Sequence, residues 1–194
     1  MGIRKKECSE CKGSGKIGGL FFKSACVTCD GKGYIIDPNS LSQDERERMG
    51  ESYRQTGNSL LQQGKPDMAM KKFSLALEYK PSFEAHVGRI IGAQESKNYS
   101  AACDYTEILT EIAQTNGNAH YFKCGAYYQR SGTHDSLRDQ IDDLRVAYRA
   151  IELALYYKCT FKDAKELHLY LRDWLKECEG EYQSNTNYSK SRRP

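Results

Sequence analysis

Residues 50–83 read GESYRQTGNSLLQQGKPDMAMKKFSLALEYKPSF, two segments with helical patterning on either side of the turn Gly64-Lys65-Pro66. Gly57 in the first segment and Ala69 in the second are small enough to let two antiparallel helices approach closely. Pro81 would end the second helix, because a proline cannot continue the hydrogen bonding of a helix interior. The stretch therefore predicts a closely packed helix pair.

Seven positions in this stretch follow an ordered pattern of aromatic, small and large residues: Tyr53, Gly57, Leu60, Ala69, Phe73, Ala76 and Pro81. The pattern resembles the tetratricopeptide repeat, a helix pair whose copies stack into an array. Weaker copies follow over residues 84–116 and from Tyr121 onward. We therefore predict a mostly α fold, a tetratricopeptide-like solenoid of about three helix pairs, with a capping helix over 161–179.

Two segments near the start of the chain are almost copies of each other, CSECKGSGK at 8–16 and CVTCDGKGY at 26–34. They place four cysteines in a C-x2-C-x14-C-x2-C frame: Cys8, Cys11, Cys26 and Cys29. Two facing pairs of thiolates complete a tetrahedron, which zinc favours and which leaves no open coordination position. The sequence predicts one zinc ion per chain, with iron or dithiol redox chemistry as the alternatives. Short β-hairpins and loops are expected around this site.

The C-x-x-C-x-G-x-G form of each segment resembles the cysteine-rich zinc module of DnaJ-type co-chaperones. That module has four such repeats and binds two zinc ions, whereas two repeats occur here. The 194 residues contain no J-domain and no His-Pro-Asp tripeptide. The resemblance implies that the module binds or holds non-native protein. A zinc ion that only folds the segment is the alternative.

Composition divides the chain into a Gly/Cys/Lys-rich zinc module (1–36), a linker (37–43), a helical repeat domain (44–180) and a disordered polar tail (181–194). The chain carries a net charge of +3, with seven Lys/Arg against three acids in residues 1–36. Neither a spanning apolar run nor a secretory signal is evident in the sequence. We therefore expect a cytoplasmic protein with reduced thiols and no membrane partner.

Three groups of residues are candidates for partner binding. Arg54 and Asn58 flank Gly57 where a carboxylate-binding subset of tetratricopeptide proteins has Lys and Asn, and Lys123 lies in the third repeat. That resemblance implies an acidic or carboxylate ligand, with a solvated groove surface as the alternative. Leu20, Phe21 and Phe22 either pack as the small core of the zinc module or form an exposed contact.

No catalytic fingerprint occurs in the sequence, so we expect the protein not to be an enzyme. The favoured function is a protein-interaction or chaperone-like adaptor whose groove binds a peptide or protein, such as an unfolded client or a chaperone. The alternative is nucleic-acid binding by the basic module, with Phe21 or Phe22 stacking on bases. Its lysines would meet phosphates: Lys5, Lys6, Lys12, Lys16, Lys23 and Lys32.

Overall fold

The computed structural model of the chain describes residues 3–19 and 22–191, with side chains through residue 186. These residues form two small antiparallel hairpins and seven α-helices, so the predicted fold class is confirmed. The strands are β1 Lys5–Glu7, β2 Lys16–Ile17, β3 Ser24–Ala25 and β4 Tyr34–Ile36. The helices are α1 Gln43–Gln62, α2 Pro66–Tyr79, α3 Phe83–Glu95, α4 Tyr99–Ile112, α5 Gly117–Ser131, α6 Leu137–Tyr156 and α7 Ala164–Ser191.

The chain divides into two compact units, Met1–Ser96 and Lys97–Pro194. The first contains the hairpins and α1–α3, where α2 packs on both α1 and α3. The second contains α4–α7, each packed on the next. Of the three boundaries drawn from composition, those at 36/37 and 43/44 stay a prediction.

Local sequence explains where the first helices begin. Ser42 and Glu45 form a capping box at the start of α1: the Glu45 N–H donates to Ser42 Oγ, and the Ser42 N–H donates to Glu45 Oε2. Pro66 opens α2, where its missing N–H costs nothing. Ser82 caps α3 by accepting from the Ala85 N–H.

Phe73 is the centre of the first unit and is fully buried. A Cβ atom added to Gly57 would lie 2.8 Å from the Phe73 ring, and one added to Gly88 would lie 2.5 Å from it. Two glycines, one on α1 and one on α3, therefore make room for the same aromatic ring of α2. The close approach predicted at Gly57 is confirmed, whereas the contribution of Gly88 had no counterpart in the repeat pattern.

The second unit has an apolar core and one buried carboxylate. Leu144, Ile151 and Leu171 are fully buried in the core of this unit. Asp143 accepts two hydrogen bonds from Arg130, at 2.7 and 2.6 Å, and lies 2.8 Å from the His134 Nε2. Burial alone would raise the pKa of Asp143, but the bonds from these two basic side chains outweigh it and lower that pKa.

The last helix is longer than the sequence suggested. We predicted helical structure as far as residue 180 and a disordered tail from 181, but α7 continues through Ser191. Ser184 and Thr186 hydroxyls donate to the carbonyls of Gly180 and Tyr182, one turn earlier in the same helix. The segment also contains no proline before the final residue of the chain, so nothing in it interrupts a helix. Residues 192–194 lie outside the described residues.

Candidate metal centre

The two cysteine-containing segments form two structurally equivalent copies, offset by 18 residues. Strand β1 pairs with β4, and β3 pairs with β2. By the same offset, β3 is the equivalent of β1 and β2 is the equivalent of β4. The Cys8 N–H donates to the Gly33 carbonyl at 3.0 Å, and its equivalent, the Cys26 N–H, donates to the Gly15 carbonyl at 2.8 Å. The duplication seen in the sequence is therefore a local two-fold repeat of backbone structure.

Glycines are required where the two copies meet. Gly15 and Gly33 have positive φ angles of 71° and 80°. A Cβ atom on Gly15 would lie 2.2 Å from the Gly31 carbonyl oxygen, and one on Gly33 would lie 2.2 Å from that of Gly13. No other residue type fits at such distances, which explains the glycines that follow each cysteine pair.

The four predicted cysteine ligands lie together and are buried. Their Sγ atoms are all within 4.8 Å of one another, with 3.8 Å between Cys8 and Cys26 and 3.7 Å between Cys11 and Cys29. A tetrahedron with zinc–sulfur bonds of about 2.3 Å has sulfur–sulfur edges of about 3.8 Å. The sulfur positions are therefore compatible with one zinc ion.

Backbone amides prepare this cluster for negative charge. The Gly15 N–H donates to Cys11 Sγ and the Gly33 N–H to Cys29 Sγ, each at 3.2 Å. Burial would raise the pKa of Cys11, but the Gly15 amide and the neighbouring thiols lower it. Burial raises the pKa of Cys8 and that of Cys26, the latter to about 12. A bound cation would supply the charge that stabilises all four groups as thiolates.

The cysteine cluster shares an apolar core with the first helix pair. Leu75 of α2, which is buried, packs with the four cysteines and Ile35, and Tyr53 of α1 packs against the same cluster. The Tyr79 hydroxyl donates to the carbonyl oxygen of Ile36 at the end of β4. The module and the helices it contacts thus form one packed structure.

Two ion pairs fix the orientation of the module on α2. The Lys72 Nζ lies 2.7 Å from Asp30 Oδ1, and the Lys72 side chain is only 2% exposed. The next pair joins Lys71 to Glu10, which also accepts a hydrogen bond from Thr28. Sequence analysis missed these contacts, although two adjacent lysines on one helix and two acids within the cysteine segments were a visible signal.

Both cations predicted for the helical groove already pair with a carboxylate of the chain. Arg54 on α1 makes a bidentate contact with Glu51, at 2.9 and 2.6 Å. Lys123 on α5, in the second unit, lies 2.6 Å from Glu107. Asn58 lies on α1 in the helical turn after Arg54 and is exposed. The structure thus places Arg54 and Asn58 on one helix of the first unit.

Arg54 also lines an open cavity of about 280 Å³ in the first unit. Its polar lining combines both charge signs: Glu51, Arg54, Lys80, Ser82 and Glu84. Hydrogen bonds from Arg54 and Gln55 lower the pKa of Glu51 to about 2, so this carboxylate stays charged at neutral pH. A ligand that uses Arg54 must compete with Glu51 for it.

Of the apolar residues predicted in the module, Phe22 is 88% exposed, which excludes it from any core among the described residues. Leu20 and Phe21 lie outside the described residues. Phe22 therefore does not pack in a core of the module among the described residues. For Leu20 and Phe21, packing and exposed contact both stay predictions. No helix in the described part of the chain is both long enough and apolar enough to cross a membrane.

No protein-family model matches this sequence, and no curated protein matches it. Solved structures do match. The chain aligns with the first TPR of Spaghetti (RPAP3) bound to HSP90 peptide SRMEEVD at 15% identity and a TM-score of 0.55, covering 67% of this chain and 95% of that one. The fold is that of tetratricopeptide-repeat domains.

Two further structures support the same conclusion about the fold. The first TPR domain of human RPAP3 aligns at 16% identity and a TM-score of 0.57, over 69% of this chain and 98% of that one. A thermophilic TPR protein of Thermus thermophilus aligns at 16% identity and a TM-score of 0.58, over 66% of each chain. The repeat recognised in residues 50–83 therefore predicted the helical architecture correctly.

Proposed function

We propose that this protein is a non-catalytic adaptor that binds a peptide or protein partner on its tetratricopeptide helices. The observation that carries the proposal is the helical fold, which a similar domain uses in a complex with an HSP90 peptide. Chaperones and unfolded clients are the partners we propose. The first unit offers an open polar cavity on the helix that bears Arg54 and Asn58, which suits a short charged segment.

The peptide SRMEEVD is the first probe, measured by fluorescence anisotropy on the full chain. We expect saturable binding that Arg54→Ala weakens, while Arg48→Ala leaves it unchanged, because Arg48 is exposed on the same helix but lies outside the cavity lining. Glu51→Gln should strengthen binding, since it releases the Arg54 guanidinium from its present carboxylate. If wild-type protein neither binds this peptide nor suppresses aggregation of a chemically unfolded client, the adaptor proposal is wrong.

The zinc module has a structural role in this proposal. Cys8, Cys11, Cys26 and Cys29 would hold one zinc ion, and four sulfur ligands leave no position for a substrate or a reactive water. The ion would supply positive charge to a buried cluster of thiolates and so fix the two copies of the module around it. We also propose that this module is of the DnaJ type, as the C-x-x-C-x-G-x-G form of its two segments suggests.

Elemental analysis of purified protein tests the metal directly. We expect one zinc per chain in the wild type and in Cys159→Ser, because Cys159 is only half-buried and belongs to no cysteine cluster. Cys11→Ser should lose the metal. Iron in place of zinc, or no metal in the wild type, would overturn the assignment.

A further inference from the structure

Lys12 and Asp30 are equivalent residues of the two copies, each directly after the second cysteine of its pair. Both have a left-handed backbone, with φ of 47° and 52°, so the same turn presents a lysine in one copy and an aspartate in the other. Asp30 pairs with Lys72 of α2. Lys12 is exposed, and no acidic side chain among the described residues pairs with it. Asp30 thus binds a helix of this chain, and Lys12 at the equivalent position is open.

Docking on α2 also removes negative charge from the module surface. Residues 3–36 contain three acids, and two of them, Glu10 and Asp30, are paired with lysines of α2. Glu7 is the remaining acid. Within the described part of the chain, six exposed lysines of the module have no acidic partner: Lys5, which lies over the Tyr34 ring, and Lys6, Lys12, Lys16, Lys23 and Lys32. The docked module therefore presents an excess of unpaired positive charge.

Three of these lysines lie on or next to the part of the module equivalent to its docked side. The docked side consists of Asp30, Glu10 and the end of β4, where the Tyr79 hydroxyl donates to the Ile36 carbonyl. The equivalents are Lys12, Thr28 and the end of β2, and the end of β2 is flanked by Lys16 on β2 and by Lys23 beside β3. We call Lys12, Lys16 and Lys23 the basic face.

We propose that the basic face binds an acidic segment of a partner protein. The same backbone frame already accepts a helix through the Asp30–Lys72 pair on its other side, and Lys12 stands at the position equivalent to Asp30 with the opposite charge. Glu10, the second docking acid, has the neutral Thr28 as its equivalent. A polypeptide with Asp or Glu where α2 carries Lys72 complements Lys12, and further acidic residues complement Lys16 and Lys23. This contact is independent of the peptide site proposed on the helices, since it uses none of the same residues.

Full-length zinc-loaded protein tests this surface with a fluorescein-labelled oligoglutamate peptide in anisotropy titrations at low salt. We expect Lys12→Glu combined with Lys16→Glu to weaken binding by about tenfold or more, since both substitutions replace attraction with repulsion. The matched control, Lys162→Glu with Lys165→Glu, makes the same change of charge at exposed positions of the second unit and should leave binding unchanged. Zinc content confirms that each variant is folded at the module.

Two outcomes overturn the proposal. Equal affinity of the module variant and its control would show that the basic face does not bind the peptide. Tighter binding of a single-stranded oligothymidylate, lost in the same variant, would assign the surface to nucleic acid instead. Loss of oligoglutamate binding in the Lys12→Glu, Lys16→Glu variant tests the basic face, whereas loss of SRMEEVD binding in Arg54→Ala tests the helical site, so failure here and failure of the helical peptide site are distinguishable.

Discussion

The Lys72–Asp30 pair makes a quantitative prediction about how the module is held on α2. The Lys72 side chain is 2% exposed, and its Nζ lies 5.4 Å from the centre of the Tyr53 ring. An ammonium in such a place needs its carboxylate, because an unpaired buried charge has lost its hydration without compensation. Asp30 itself is 58% exposed, so water reaches the pair from one side and moderates the cost of breaking it.

Substitution of Asp30 and substitution of Lys72 should therefore lower the stability of the first unit by unequal amounts. We expect Asp30→Asn to destabilise the first unit by about 2 kcal/mol, at the low end for a broken buried pair because of the exposed carboxylate. Asn is chosen since it tolerates the positive φ of Asp30, where Ala would add backbone strain. Lys72→Met removes the buried charge altogether and should cost no more than about 1 kcal/mol.

Hydrogen exchange of α1 and α2 amides, read by mass spectrometry, measures this effect. The only tryptophan, Trp174, lies in the second unit, so its fluorescence does not report on the first. A loss of about 2 kcal/mol corresponds to exchange faster by roughly 25-fold. Lys71→Met is the neighbouring control: its side chain is 42% exposed, and a change below about 1 kcal/mol is expected.

The reasoning is refuted if Lys72→Met accelerates exchange as much as Asp30→Asn does. It is also refuted if Asp30→Asn leaves exchange unchanged while zinc content stays at the wild-type value. Zinc is measured in every variant because Asp30 follows Cys29 directly in the chain.

Further predictions concern packing and pH. Gly57→Ala should destabilise the first unit by about 1–3 kcal/mol in urea denaturation, because its Cβ would lie 2.8 Å from Phe73. Gly180→Ala, on α7 with nothing within 4 Å of the added Cβ, should instead stabilise its helix by about 0.5–1 kcal/mol; the same sign for both would contradict the packing argument. Because the pKa of Asp143 is lower in the folded protein than in the unfolded chain, its ionised carboxylate stabilises the fold. This contribution is fully present above the unfolded pKa of about 4 and is lost as pH falls through the lower, folded pKa. Asp143→Asn should therefore cost roughly 2–3 kcal/mol at neutral pH and little in strong acid, measured by Trp174 fluorescence; a deficit independent of pH would show that the Arg130 contact is not electrostatic.

The sequence predicted those features that depend on spacing within a segment. The seven-position pattern in residues 50–83 and the duplicated cysteine pairs each repeat a local geometry, so the helix pair and the sulfur cluster followed from them. Contacts between segments that are far apart in the sequence do not follow from any repeated spacing of residues. The bond between Lys72 and Asp30 joins residues 42 positions apart, and the charges visible in the two segments do not by themselves indicate which lysine meets which acid.

The candidate partner-binding residues show the same limit. Arg54 and Lys123 were selected by resemblance to positions that bind carboxylates, and each does contact a carboxylate, but one supplied by the chain itself. Glu51 lies one turn from Arg54 in the sequence and was a readable signal. Glu107 comes from another helix, so the pairing with Lys123 required the packed structure.

The apolar contact of Leu75 with the cysteine cluster makes the first repeat sensitive to chemical modification of the cysteines. Helical repeats depend on their neighbours, and an array comes apart most readily from an unprotected end. Here the repeat that contains α1 and α2 shares its core with the four thiols proposed as zinc ligands. Oxidation of the cysteines, or removal of a bound metal by a chelator, would therefore expose Leu75 and Tyr53. The first repeat would then be prone to aggregation and accessible to proteases.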